Sequence, residues 1–291
     1  MKRFLLVIAI LVFTGMQSVI AQPANPKAVT NTGKSSSIAP LPPEMQRIKD
    51  RGTLLVAMYA KDVIPYLMAD SMGNLAGNDV DLAKNIAKAL QVNISIDRSA
   101  KTFNELVDLV ASGKADMGIS LISRTLARAE KVRFSNPYVI VRPVLVLNRL
   151  TASRAGLDLS NPLEEMSHFN GKIAEPKGNS YIDFAKAAFP KASLIELPTW
   201  DDVLNAVFEG KVLATLRDEI GVKNYLMKYP ERSVQLKTIP IMDPARADAL
   251  GIAVNSTSTH LLEWINLYLE LNYPIRSAED LVKTYDKYYK K

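Results

Sequence analysis

This sequence predicts an α/β fold of two similar lobes, each a mostly parallel sheet flanked by helices, and three observations carry that expectation. Apolar strand-like runs alternate with amphipathic helical segments from Thr53 onward, the order that builds parallel sheets with crossover helices. One unit is written twice: TFNELVDLVASGK (residues 102–114) matches TWDDVLNAVFEGK (residues 199–211) in its threonine, its aromatic, its acid at the fourth position and its closing Gly-Lys. The chain has 291 residues, 48% of them apolar, enough to fill two cores.

The elements follow in order. Residues 1–21, MKRFLLVIAILVFTGMQSVIA, have the make-up of a cleaved secretory signal: Lys2 and Arg3, an apolar run from Phe4 to Phe13, and small residues at Val19 and Ala21, with the cut expected after Ala21. That run is shorter than the ~20 residues of a spanning helix, so a periplasmic destination is expected rather than an anchor. Residues 22–43, rich in Pro, Ala, Ser, Asn and Thr, read as a disordered linker. A short helix over residues 45–49 precedes a buried strand, TLLVAMYA. GNDVDLAKNIAKAL then reads as a helix capped by Asp79, with Leu82, Ala83, Ile86, Ala87 and Leu90 facing a sheet. VNISIDRS is a strand.

In the repeated unit, Thr102 with Glu105 and Thr199 with Asp202 resemble capping boxes, Gly113 and Gly210 stop the helices, and ADMGISLI and VLATL are the strands that follow. GKIA is a strand that leads through EPKGNSY into the helix YIDFAKAAF, and Asp218 heads the helix DEIGVKNYLM. The C-terminal segment repeats helical spacing through Leu262, Ile265, Leu269 and Leu281 and is expected to pack on the first lobe, with Tyr285, Tyr288 and Tyr289 as packing or surface aromatics.

Charge excludes more than it assigns. The 36 Lys and Arg against 30 Asp and Glu give a net +6, reduced to +4 when Lys2 and Arg3 leave with the signal, and the excess is spread along the chain, so no nucleic-acid partner is expected. There is no cysteine, hence no disulfide. His168 and His260 lie far apart in sequence, and no GxSxG, P-loop or HExxH motif occurs, so neither a metal nor a cofactor is expected.

Two α/β lobes enclose a cleft, and ligands of open α/β sheets sit beyond the carboxyl ends of the strands. Three segments lie there: residues 120–128 after ADMGI, Gly178-Asn179-Ser180 at a helix start after GKIA, and Arg217, Asp218 and Glu219 after VLATL. Together they supply a guanidinium, hydroxyls, backbone amides and a carboxylate, a set that suits a zwitterion. Arg128 can grip a carboxylate with two parallel hydrogen bonds, Ser123, Thr125 and the amides of residues 178–180 can fill its remaining lone pairs, and Asp218 can accept from an ammonium. Each residue taken alone has a plainer account: Arg128 as an exposed charge on a short helix, Asp218 as a helix cap.

NLAGNDVDLAKNIAKAL, ADMGISLISRTLARAEKVRFSNPYV, KGNSY and TLRDEIGVKNYL resemble, in order and spacing, the periplasmic solute-binding proteins of amino-acid ABC transporters, the polar amino-acid type or family 3. The likeness runs from about Pro43 to the C-terminus. It implies the type II periplasmic-binding fold, two lobes joined by two hinge strands that close on ligand. It implies lobe 1 from residues 44–140 and 251–291 and lobe 2 from residues 141–250, with chain crossovers near Val139 to Val144 and Leu250 to Val254.

The resemblance also assigns roles. It puts the ligand carboxylate on Arg128, six residues before Phe134, with Ser123, Thr125, Asn179 and Ser180, and the ligand amine on Asp218 and the backbone position Ser120. A side-chain pocket would involve Tyr59, Val63, Asn78 and Lys177. Where many members carry an aromatic, this chain has Val63 and Asn78. Arg124 and Arg217 flank the anchors and read as surface charge, with an acidic ligand as the alternative.

The implied protein is a monomeric, non-catalytic binding component that hands its ligand to a membrane permease. Two alternatives stand beside it: a dehydratase acting on prephenate- or arogenate-like acids, with Glu175, Glu219 or Asp62 as general acid, and a sensory protein using the same trap.

Overall fold

The computed structural model describes residues 40–70 and 72–289. The expected signal peptide and most of the expected linker lie outside these residues. The linker's end is displaced, because Pro43 already opens a helix as its first residue, where a missing N–H costs nothing.

The chain runs α1 (Pro43–Arg51), β1 (Thr53–Tyr59), a hairpin of β2 (Met68–Ala69) and β3 (Leu75–Ala76), α2 (Asn78–Ala89), β4 (Asn93–Ala100), α3 (Phe103–Ala111), β5 (Met117–Gly118), α4 (Leu126–Ala129) and β6 (Val132–Phe134). It crosses through β7 (Val139–Val141) to β8 (Pro143–Asn148), α5 (Arg149–Arg154), α6 (Pro162–His168), β9 (Lys172–Pro176), α7 (Tyr181–Ala188), β10 (Ser193–Leu197), α8 (Trp200–Phe208), β11 (Ala214–Asp218), α9 (Glu219–Lys228) and β12 (Leu236–Pro240). It returns through β13 (Asp248–Leu250) to β14 (Ala253–Asn255), α10 (Thr259–Asn272), β15 (Arg276–Ser277) and α11 (Ala278–Thr284).

Two five-stranded sheets result, in the orders β4-β1-β5-β14-β6 and β10-β9-β11-β8-β12. In each, the fourth strand (β14 or β8) runs antiparallel to both of its neighbours, and the other four strands run in one direction. The lobes therefore share one topology. The repeated helix is its clearest sign: Thr102 Oγ1 accepts the Glu105 amide at the head of α3, and Thr199 Oγ1 the Asp202 amide at the head of α8. Neither is a full capping box, since the Glu105 carboxylate bonds the amide of Lys101 instead, and that of Asp202 takes the Thr199 hydroxyl. At the other ends, Asn255 Nδ2 donates to Val110 O and Ala111 O, and Asn148 Nδ2 to Val207 O and Phe208 O, in both cases at 3.1 and 2.9 Å. An asparagine at the end of an antiparallel strand thus binds the last-turn carbonyls of each helix.

β7, β13 and β15 form a third, small sheet where the chain passes between the lobes, β7 antiparallel to β13. The return passage lies at Asp248–Leu250, earlier than Leu250 to Val254, because Ala253–Asn255 is already a strand of the first sheet. The first core gathers Leu54, Ile86, Met117 and Val254, with Leu262, Ile265, Leu269 and Leu281 of the C-terminal helices packed on it. The second gathers Leu145, Ile173, Phe189 and Leu216.

Asp79 does not cap α2. Gly77 stands at the N-cap, and Asp79 turns inward, fully buried, to accept from Leu121 N and Tyr138 Oη. Among the described residues no helix is long and apolar enough to cross a membrane.

Candidate functional site between the lobes

The carboxyl ends of β1, β5, β9 and β11 converge on a cavity walled by Tyr66, Phe103, Ser123 and Arg128 from the first lobe, Ser180, Tyr181 and Asp218 from the second, and Asp248 from the hinge; Leu121, Asn179 and Trp200 complete much of the rest. The lobes are closed on it. Ser180 Oγ donates to Ser123 Oγ at 2.8 Å, Asn224 Nδ2 donates to Ile64 O at 2.6 Å, and Gly178 packs against Thr102 across the gap. About 20 Å³ remains, the space of roughly one water.

Arg128 is 6% exposed. Thr125 Oγ1 accepts the Arg128 amide, so the N-cap of the single-turn α4 sets where the side chain leaves the backbone. Its Nη1 donates to Ser123 O at 3.1 Å and its Nε to Asn104 Oδ1 at 3.3 Å, while the guanidinium carbon lies 6.0 Å from the Phe103 ring centre. Nη2 is buried without a partner. Burial lowers the pKa to about 10, which still leaves a cation at neutral pH. A buried guanidinium with one unused N–H edge is an anion receptor whose desolvation cost has not been offset within the protein.

The same wall carries two acids. Asp218 caps α9, its Oδ1 accepting the Gly221 amide at 2.7 Å. Asp248 Oδ2 accepts from Ser123 Oγ at 2.8 Å, and burial, with the nearby Asp218 charge adding to it, pushes its pKa up to about 7 against the pull of the Ser123 hydrogen bond and the Arg128 charge. Two further hydroxyls stand at the wall: Tyr66 Oη is buried without a hydrogen-bond partner, and Tyr181 Oη is buried against Asp248, whose carboxylate it favours. The wall of the enclosed space thus combines an unused cationic edge, two carboxyl groups and one unpartnered hydroxyl.

Of the residues the sequence points to, Arg128, Ser123, Asn179, Ser180 and Asp218 stand at this cavity wall. Thr125 does not; as a cap its hydroxyl is committed to the Arg128 amide. Ser120, expected to act through its backbone, is fully buried, and its Oγ accepts the Tyr59 amide at the end of β1. Tyr59 and Val63 line a larger outer recess of about 520 Å³, with Tyr59 stacked on Phe103 at 4.7 Å. Asn78 is outside both spaces, buried against Asp79 and the Tyr273 hydroxyl in the first lobe, and Lys177 is exposed on the surface.

The general acids weighed for a dehydratase are likewise elsewhere. Glu175 is sealed inside the second sheet, bonded to Leu216 N and Thr215 Oγ1, with burial pushing its carboxyl well above the usual range. Glu219 faces Arg142, and Asp62 pairs with Arg98 at the outer recess. Sequence reading missed Asp248, Tyr66, Tyr181 and Trp200. Tyr66 stands in the Pro-aromatic pair after β1, and that pair was the available signal. Arg217 is not surface charge: its side chain is 11% exposed and its guanidinium lies 4.4 Å from the Trp200 ring centre. Among the described residues no cluster of His, Cys, Asp and Glu is placed to hold a metal.

Similarity to known proteins follows the same lines. A probable histidine-binding protein from Neisseria gonorrhoeae is 25% identical over 231 residues, 78% of this chain and 80% of that one. A cyclohexadienyl dehydratase from Pseudomonas aeruginosa is 25% identical over 197 residues, 68% and 70% of the two chains. The arginine-bound form of truncated ArgBP from T. maritima superposes with a TM-score of 0.59 at 28% identity, over 78% of this chain and 99% of that one. The model of the bacterial extracellular solute-binding proteins, family 3, matches residues 55–291, and with the two closed lobes and the polar cavity between them the chain belongs to that family.

Proposed function

We propose that this protein is the periplasmic binding component of an ABC uptake system and that it captures an amino acid or similar small zwitterion by closure of its lobes. The observation that carries this reading is the buried, partnerless Arg128 Nη2 at a cavity that Asp218 and Asp248 also line. Arg128 would take the α-carboxylate with Ser123, Asn179 and Ser180 filling its other lone pairs, and Asp218, with Asp248 beside it, would take the ammonium. Similarity to proteins named for histidine and arginine supports an amino acid as the ligand class. Closure buries both charges, and the closed form is what a permease in the inner membrane would recognise. Calorimetric titration of the purified chain with the twenty L-amino acids tests this: at least one binds at micromolar or tighter affinity, and a panel without heat or thermal stabilisation would refute it.

A second reading rests on Asp248. A cavity carboxyl with a pKa of about 7 suits a general acid, and a dehydratase is among the similar proteins. Turnover of prephenate or arogenate by the purified chain would establish it; saturable binding of an amino acid without turnover would dispose of it.

A further inference from the structure

On the reading of the cleft as an amino-acid site, we propose that the ligand is an amino acid with an acidic side chain, whose second carboxylate is received by Arg217 in the outer recess. Arg217 leaves the end of β11 next to the amine-side Asp218 and lines the recess beside Trp200, the residue that also walls the inner cavity. A side chain passing Trp200 would enter the recess that this guanidinium lines.

The position is built. The guanidinium lies on the Trp200 ring, and Gly221 supplies the space for it: a Cβ there would stand 2.0 Å from Arg217 Nε and 2.8 Å from Asp218 Oδ2. Nε is buried without a hydrogen bond, and the nearest carboxylate oxygen, Asp218 Oδ2, is 4.0 Å away. Burial lowers the Arg217 pKa, the mark of a charge taken out of water without full compensation. A guanidinium over an indole face keeps N–H groups available for carboxylate recognition.

The surrounding charges favour the same sign. Of the two acids in the recess, Asp62 is bound to Arg98 at 2.8 Å and Asp201 to Lys228 at 3.0 Å. Lys61, Arg217 and Lys228 are the basic residues of its lining, so the wall carries one more basic than acidic residue. A cationic side chain entering here would meet Arg217 without a free acid to offset it, while a carboxylate would complete it.

Calorimetric titration of the full chain with L-glutamate, L-aspartate, L-glutamine and L-arginine decides the matter. One of the two acids should bind at least about ten-fold tighter than glutamine and arginine, the difference a charged hydrogen-bonded partner makes. Arg217→Met, which keeps an apolar stem on Trp200, should weaken the acid ten- to hundred-fold and bring its affinity within a few-fold of glutamine. Gly221→Ala, which displaces the guanidinium, should act in the same direction if the first variant fails to fold. Tight binding of arginine or glutamine in preference to both acids, or an acid preference untouched by both variants, would overturn the proposal while leaving the amino-acid reading intact; no binding across the whole amino-acid panel would overturn both.

Discussion

Asp79 Oδ2 accepts the Leu121 amide at 2.7 Å, and Leu121, in the cavity wall, is held at φ 42°, a left-handed conformation unusual for a leucine. The same oxygen takes the Tyr138 hydroxyl at 3.0 Å, so one buried carboxylate ties the head of α2 to the site loop and to the start of the hinge. Asp79→Asn replaces one of its acceptor oxygens with a donor. The variant should lose about 2 kcal/mol of stability, read from denaturant unfolding, and should bind ligand more weakly because Leu121 is released; an unchanged unfolding midpoint would remove this role.

Asp248 should make ligand binding pH-dependent. Its pKa of about 7 arises first from burial, and a ligand ammonium placed beside it favours the carboxylate, so capture expels a proton. Affinity should rise with pH between about 5.5 and 7.5, by at most about ten-fold per unit, and titrations in buffers of different ionisation enthalpy should register proton release. Asp248→Asn should flatten the profile.

Without ligand the sign reverses. Asp248, and Asp79 with a pKa of about 6, hold their protons more tightly folded than their ordinary value of 3.8 allows unfolded. That stability is fully present below about pH 4 and is lost as pH rises through 6 to 7. Thermal unfolding of the unliganded protein should therefore show these two groups destabilising it toward neutral pH, an effect that Asp79→Asn and Asp248→Asn each diminish.

Asn148 and Asn255 hold the last carbonyls of α8 and α3 by the same pair of bonds. Asn148→Ala and Asn255→Ala should each cost about 1–3 kcal/mol, and, because the sites are in separate lobes, the double variant should lose their sum. Unequal costs, with one near zero, would break the equivalence of the two caps.

Gly178 sits at φ 70° in the second lobe, and a Cβ on it would come 3.1 Å from Thr102 Cβ in the first. Gly178→Ala therefore burdens the closed state specifically, beyond the ~1 kcal/mol that its backbone conformation costs. Ligand affinity should fall further than stability does, a split visible by comparing titration with thermal unfolding.

The fold was legible where local chemistry repeats. The Thr-aromatic-x-acid start and Gly-Lys end of α3 and α8 are complete within thirteen residues each, and two copies announce two lobes. Arg128, Ser123 and Asp218 were legible as strand-end residues. What escaped depends on distant elements. Asp248 is a cavity residue only because β13 pairs with β7, and no periodicity marks a three-residue hinge strand. Arg217 beside an acid looked like solvated charge, and its burial needs Trp200 from another helix and the missing side chain of Gly221. Asn78 lies in a segment that resembles the family, yet its side chain bonds those of Asp79 and Tyr273 inside the first lobe instead of entering the cavity.

Arg128 as the holder of the ligand carboxylate is tested most directly by titrating Arg128→Met with the amino acid that the wild type binds, alongside thermal unfolding of both unliganded proteins. Affinity should drop at least about a hundred-fold, while the unfolding midpoint holds or rises, because the substitution removes a buried charge with an unpartnered Nη2. Binding retained within a few-fold of wild type would contradict the account.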